Sequence, residues 1–480
     1  MTRLGALTLE STGEPALDGI LGGGIPSGSL TVVAGEPGSG KTIFTLQMLF
    51  HAARRGLKTL YCTTQSEPAV KLIKYMQLFS FFDTELLETQ IQFLDLGDAL
   101  RQGADHAVAS LSERVEAVRP DFVAIDSFRA IDDQRELRRR PLVFDLATQL
   151  AAWGTTALLV GEYTRPEYAS FAEFAIADGI IRFGSKDEEL TSVRELEILK
   201  LRGANYVGGR HFFQITADGL SVYPRVRAPD EDAKAEVAHA DRISMGVSGL
   251  DEMLAGGIPR TSSALVQGAT GVGKTNLCLQ FLLEGARRGE RGVFFTFEET
   301  PDQLRAAAAS LGHDLGRHER EGLIVLRYTS PVELSTDRFL HEARGFVEAH
   351  GAKRAVFDSL SSMALGVPSN RRFQELVYSI VKHMRHAGVT ACMTIEAEQV
   401  IGAGLTAGHG VSFFADTLIQ IRYVEIKGKI ERALSVMKSR GTNHSAELRA
   451  LTIGEGGLRV TPGRFDDLFG IFTGTPTPAK

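Results

Sequence analysis

Two stretches of this chain carry residues suited to holding a polyphosphate. Gly268-Ala-Thr-Gly-Val-Gly-Lys274-Thr275 and Gly35-Glu-Pro-Gly-Ser-Gly-Lys41-Thr42 both fit G-x-x-x-x-G-K-[ST] at every fixed position. A loop of this kind turns backbone N–H groups inward around phosphates, extends its lysine to the outer phosphates and offers its hydroxyl to Mg²⁺. Glycine is needed wherever a Cβ would block the turn or the approach of phosphate. The expected nucleotide contacts are Gly268, Gly271, Val272, Gly273, Lys274 and Thr275 in one copy. In the other they are Gly35, Gly38, Ser39, Gly40, Lys41 and Thr42. ATP and Mg²⁺ are the implied ligands. An apolar helix pattern follows each loop, so a helix N-terminus also faces the anion.

Each loop has a carboxylate downstream. Asp121-Phe-Val-Ala-Ile-Asp126-Ser127 and Arg354-Ala-Val-Phe-Asp358-Ser359 read as apolar strands ending in aspartate. A carboxylate so placed holds a Mg²⁺-bound water, which makes Thr42 with Asp126, and Thr275 with Asp358, the expected metal-side pairs. The copies then diverge. Thr296-Phe-Glu298-Glu299-Thr-Pro301 puts two carboxylates just beyond a strand, where one can take a proton from the nucleophile while its neighbour tunes the local field. The matching Thr63-Thr-Gln65-Ser66-Glu-Pro68 offers an amide and a hydroxyl, neither of which is a base at neutral pH, and Glu67 falls one position late. Both sites should bind nucleotide. The catalytic set Lys274, Glu298, Glu299 and Asp358 is expected only in the second.

The elements that position these residues occur twice. Residues 11–68 align with 244–301 at a constant offset of 233, with 25 of 58 positions identical. A short strand runs into each loop, a helix of about four turns leaves it, and strands and helices alternate afterwards. This predicts an α/β fold in which each copy is a mainly parallel sheet flanked by helices, with its site at the carboxyl ends of the strands. The expected layout is a first domain over 1–227, an acidic Ala-rich linker over 228–242, a second domain over 243–463 and an irregular tail over 464–480.

Composition narrows the function classes. At 480 residues the chain exceeds one ordinary core, and a net charge of −6 argues against a strongly basic nucleic-acid surface. Cys62, Cys278 and Cys392 have no metal-ligand spacing and read as free thiols of a reducing compartment. The first residues lack a signal-peptide pattern, and no apolar run approaches the roughly 20 residues that span a bilayer. A cytoplasmic protein without membrane or nucleic-acid partners is expected. Trp153 reads as core or interface material.

These motifs, with Gly-Leu-Asp251-Glu-Met-Leu, Tyr423-Val-Glu-Ile426 and Glu197-Ile-Leu-Lys200-Leu-Arg202-Gly203, resemble the KaiC-like family of bacterial and archaeal ATPases, within the RecA-like phosphate-loop superfamily. The resemblance covers nearly the whole chain. It implies two tandem RecA-like domains in a two-tier hexameric ring, with ATP and Mg²⁺ between neighbouring subunits. It implies that Lys200 and Arg202, and likewise Lys438 and Arg440, reach into the neighbour's site. The family also implies a serine/threonine autokinase modified at adjacent Ser and Thr residues. The matching positions here are Ser412, which keeps the hydroxyl, and Phe413, which has none. The C-terminal tail is shorter than in the clock members.

Two other readings stand beside this one. A nucleic-acid-dependent motor would use Arg129, Arg135, Arg138, Arg139 and Arg140, although Asp132, Asp133 and Glu136 are interleaved with them. A scaffold would use ATP chiefly as glue between subunits and pass its output to an unidentified signalling partner.

Overall fold

The computed structural model describes residues 8–64, 69–132, 139–188, 191–225, 238–397, 410–426, 428–462, 465, 468–469 and 477–478. The chain divides into two compact units, Met1–Arg225 and Val226–Lys480.

In the first unit one sheet of nine strands runs in the order Gly219–Tyr223, Arg210–Thr216, Thr191–Leu201, Gly179–Glu188, Leu30–Gly35, Thr156–Glu162, Phe122–Asp126, Thr59–Thr63, Ile91–Asp95. The six strands from Gly179–Glu188 to Ile91–Asp95 are parallel, and the remaining three continue as antiparallel hairpins. The second unit repeats this order strand for strand. Its loop strand Ser263–Gly268 lies between Thr390–Glu396 and Thr417–Ile426, and its aspartate strand Arg354–Asp358 lies beyond Thr390–Glu396. Both units are therefore the α/β sheets expected, and their identical order is what a duplication leaves behind.

The loop strands are buried along their whole length, as parallel strands covered on both faces must be. Successive residues alternate between two cores. In the second unit Ala264, Val266, Phe294 and Val356 pack on the side of the phosphate-loop helix Lys274–Arg287. Leu265, Val293, Phe295, Ala355 and Phe357 pack on the opposite side, against the helices Thr336–His350 and Asn370–His386. The two loop helices, Lys41–Arg54 and Lys274–Arg287, each end beside a glycine of positive φ, Gly56 at 82° and Gly289 at 76°. That conformation closes the helix without a Cβ penalty. Two buried side chains also recur. Gln47 Oε1 accepts the Leu220 N–H and Gln280 Oε1 the Leu458 N–H, both at 2.7 Å, which pins each loop helix to its outermost hairpin.

Two details add to the expected layout. Regular structure resumes at Ala238, inside the stretch read as linker, because Ala238–Ile243 pairs with Ile258–Arg260. In the tail, Leu468–Phe469 pairs with Thr477–Pro478. Trp153, expected as core or interface material, is 38% exposed within its unit. All three cysteines are buried and free, and Cys278 Sγ lies 3.6 Å from Cys392 Sγ. Among the described residues no helix is long and apolar enough to cross a membrane.

One side chain sets the second unit apart. Arg354 is 1% exposed, donates to Glu290 Oε2 at 2.7 Å and to the carbonyls of Ser244 and Phe281 at 2.8 Å, and stacks on the Phe281 ring. The first unit has buried Phe122 at the same strand position. Truncating Arg354 empties a fully buried site and leaves the Ser244 and Phe281 carbonyls without their donor, at about 3–5 kcal/mol, while Glu290 keeps Arg260 at 3.2 Å. Arg354→Ala should lower the stability of the second unit by that amount in denaturant unfolding. A loss below ~1 kcal/mol would contradict this role.

Candidate functional site

Each phosphate loop bridges the carboxyl end of its strand and the start of its helix. The residue before the lysine must adopt a left-handed backbone, and Gly40 and Gly273 do so with φ of 97° and 106°. At Gly268 the constraint is room, since a Cβ there would come within 2.6 Å of the Ile421 carbonyl oxygen. Val272 is fully buried in the core, which leaves only its backbone for the expected phosphate contact.

Both lysines fold back over their loops. Lys41 Nζ donates to the Glu36 carbonyl at 2.8 Å and lies 3.5 Å from Ser39 Oγ, whereas Lys274 Nζ donates to the carbonyls of Gly268 and Ala269, each at 2.9 Å. Burial pushes both ammonium groups below the usual lysine range. Glu162, Asp126 and Glu36 oppose the shift for Lys41, and Glu396, Asp358 and Glu298 oppose it for Lys274.

The aspartates reach these loops across an intervening strand. Thr42 Oγ1 donates to Asp126 Oδ2 and Thr275 Oγ1 to Asp358 Oδ2, both at 2.7 Å. The second supports differ. Tyr61 OH donates to the same Asp126 oxygen at 2.7 Å, whereas Thr394 Oγ1 donates to the other oxygen of Asp358. Burial raises the Asp358 carboxyl, and the hydrogen bonds from Thr394 and Thr275 and the Lys274 charge counter it. Among the described residues no group of three or more His, Cys, Asp or Glu side chains forms a metal cage. One hydroxyl and one carboxylate per site are a fitting donor set for Mg²⁺, which keeps several waters and binds through few protein ligands plus phosphate.

The acidic pair stands beside this arrangement. Phe297 N–H donates to the Asp358 carbonyl at 2.9 Å and Thr296 Oγ1 to the Glu299 carbonyl at 2.6 Å, which fixes the turn after the strand against the aspartate. Glu298 is exposed, and its Oε2 accepts from Ser362 Oγ at 3.3 Å. Glu299 points inward, and its Oε2 is buried without a hydrogen-bond donor among the described residues. Burial, then the charges of Asp358 and Glu298, raise its pKa. Gln65, Ser66 and Glu67 lie outside the described residues.

A cavity of 720 Å³ covers the first loop, with Lys41, Thr42, Tyr61, Asp126, Arg129 and Glu162 in its wall. That volume suits a nucleotide-sized ligand. Arg129 is held there by the Glu162 carbonyl at 2.6 Å and by Glu167 at 3.1 Å, and stacks on Tyr163 and Phe171. It is thus committed to its own unit. Arg135 and Arg138, and the side chains of Arg139 and Arg140, lie outside the described residues.

Lys200, Arg202, Lys438, Arg440 and Ser412 do not join the loops of their own units. Lys438 pairs with Leu418, whose neighbour is Leu265 near the start of the loop strand, and Lys200 pairs with Ile180, beside Val32. Lys200 donates to the Ala175 carbonyl at 3.1 Å and Lys438 to that of Ala415 at 2.7 Å, and desolvation lowers the pKa of both. Arg202 meets Asp178 at 3.3 Å, and Arg440 donates to the Phe413 carbonyl at 3.1 Å. Ser412 is half-buried in the turn before Thr417–Ile426.

The family model described as the KaiC ATPase matches residues 10–227 and again 243–464. The chain belongs to the KaiC family of ATPases. It is 33% identical to the circadian clock oscillator protein KaiC of a Picosynechococcus species, over 96% of this chain and 91% of that protein. The KaiC of Rippkaea orientalis is 32% identical and KaiC 1 of a Synechocystis species 31%, each over 96% of this chain and 90% of the relative.

Sequence reasoning missed Tyr61, Thr394, Glu162 and Glu396. The two glutamates end equivalent strands, Thr156–Glu162 and Thr390–Glu396, and extending the repeat alignment that far would have found them. Tyr61 and Thr394 answer Phe294 and Val160, so comparing the copies hides them.

The inward carboxyl of Glu299 yields a stability prediction. A raised native pKa means the folded state holds the proton more readily than the unfolded chain. Stability therefore falls as pH rises from the unfolded value through the raised one, and the full penalty persists above it. Glu299→Gln should raise the melting temperature of the second unit by about 2 °C at pH 8, with the gain vanishing near pH 4. Calorimetry checks it, and a loss at pH 8 would contradict the buried, unsatisfied carboxylate.

Proposed function

We propose that this protein is a Mg²⁺-dependent ATPase that assembles head to tail into a two-tier ring of six subunits and hydrolyses ATP mainly in its second domain. The observation that carries the reading is the contrast between the copies. The loop, lysine and threonine–aspartate pair are present in both, whereas the carboxylate pair stands only beside the second.

In each site the loop N–H groups and helix N-terminus bind and orient the triphosphate, and Lys41 or Lys274 balances its charge. Mg²⁺, held by Thr275 and Asp358 in the second site and by Thr42 and Asp126 in the first, supplies charge neutralisation and orientation of the phosphates. Glu298 faces the open side near Lys274 and takes the proton from the attacking water. Glu299 keeps negative charge behind it, which raises the basicity of the pair.

Lys200, Arg202, Lys438 and Arg440 lie at the end of the sheet away from their own loops. A head-to-tail contact brings that end to a neighbour's loop, so these cations act in trans, and six such contacts close a ring. Ser412 shares that end with Lys438 and Arg440. Phosphate there would bring nearly two negative charges beside two cations, enough to bias the packing of the ring. Clock timing, the role named for the relatives, is the natural setting for such a switch, with output to a signalling partner.

Steady-state phosphate release tests the division of labour. Glu298→Gln with Glu299→Gln should cut turnover by about 10²-fold or more. Lys41→Ala should leave most of it while weakening assembly, seen as a smaller share of hexamer in native mass. Equal loss from both variants would overturn the assignment.

Intact mass after incubation with Mg-ATP should show one added phosphate that Ser412→Ala removes. No added phosphate, or phosphate surviving Ser412→Ala, would remove Ser412 from the mechanism.

A further inference from the structure

The first site contains a carboxylate that the loop motif and the acidic pair do not account for. Glu162 ends the strand Thr156–Glu162 and lies in register with Gly35, the first residue of the loop. It lines the 720 Å³ cavity together with Lys41, Thr42 and Asp126. Among the charges that oppose desolvation of the Lys41 ammonium, it acts most strongly.

Its duplicate is occupied differently. Glu396 lies in the same register beside Gly268, but its Oε1 accepts a hydrogen bond from Thr270 Oγ1 of the loop at 2.8 Å. The first loop has Pro37 where the second has Thr270, and proline offers no donor. The backbone of Glu162 is fixed instead, through its carbonyl, by Arg129 at 2.6 Å. Its carboxylate is exposed and has no hydrogen-bond partner among the described residues. The unit without the acidic pair thus has a free carboxylate at the end of the strand that adjoins its loop strand.

We propose that Glu162 is the general base of the first site, which therefore hydrolyses ATP slowly rather than only storing it. The Glu162 carboxylate takes one proton from a water as that oxygen bonds to the γ-phosphorus. The bond from phosphorus to the β–γ bridging oxygen breaks, its electron pair leaves with ADP, and the proton passes from Glu162 to solvent. A single carboxylate acts where the second site has the Glu298–Glu299 pair, so the rate is lower than in the second site. The inference rests on ATP occupying the first loop and goes beyond the assignment of the main turnover to the second.

The test uses the full chain carrying Glu298→Gln and Glu299→Gln. Its residual phosphate release should exceed that of the same chain with Lys41→Ala, and adding Glu162→Gln should lower the excess at least 10-fold. Affinity of the first site for a fluorescent ATP analogue, and the native mass, should stay within twofold and unchanged, respectively. No excess over the Lys41→Ala control, or an excess that Glu162→Gln leaves intact, overturns the proposal. So does a 10-fold loss of analogue affinity, which would make Glu162 a binding group. If Glu298→Gln with Glu299→Gln leaves turnover intact, the second-site assignment fails, while the effect of Glu162→Gln is still read as a difference between chains.

Discussion

The hydrogen bond from loop threonine to strand-end aspartate, 2.7 Å in both units, is the contact on which the rest of each site depends. The two strands it connects are not neighbours, because Thr156–Glu162 or Thr390–Glu396 lies between them. The bond therefore forms only when three parallel strands are in register and the loop helix is seated. A hydrogen bond to a charged group contributes about 1.5–3 kcal/mol, whereas burying carboxylate and ammonium groups costs several. The site is thus a net load on the fold. The two apolar layers around each sheet carry it, and the glutamine pins at Gln47 and Gln280 keep the loop helix from shifting.

Duplication makes the load-carrying parts and the variable parts easy to tell apart. Asp18 and Asp251 cap the same turn, accepting the Thr12 N–H at 2.8 Å and the Met245 N–H at 2.7 Å. The loops, their helices and the strand orders match as closely. Other parts differ: Tyr61 against Thr394 as the second support of the aspartate, Pro37 against Thr270 beside the strand-end glutamate, and, in the sequence, Gln65-Ser66 against Glu298-Glu299. Under the proposed division of labour, differences at these places change how fast each site turns over while leaving its capacity to hold nucleotide.

The loops, the aspartate strands and the parallel core were legible in the sequence because each needs particular residue types at fixed spacing. The antiparallel pairing of the hairpins after Gly179 and Thr417 was not, since motifs such as Glu197-Ile-Leu-Lys200 and Tyr423-Val-Glu-Ile426 mark those strands without fixing their direction. Thr394 was invisible for another reason. A threonine in a buried strand looks like ordinary β-branched filler until the neighbouring strand places Asp358 beside it. The inward turn of Glu299 and outward turn of Glu298 follow from alternation past a strand end, yet which of them lost its hydrogen-bond partners needed the surrounding side chains.

That the second loop is where most ATP turns over is tested most directly by a single-turnover experiment. The full chain is loaded with ATP at both loops, freed of excess nucleotide and quenched over time. Two phases are predicted, one nucleotide per chain converting to ADP quickly and the other at least ten times more slowly, with Glu298→Gln and Glu299→Gln removing the fast phase alone. Conversion of both nucleotides in one phase, or a fast phase untouched by those substitutions, would contradict it.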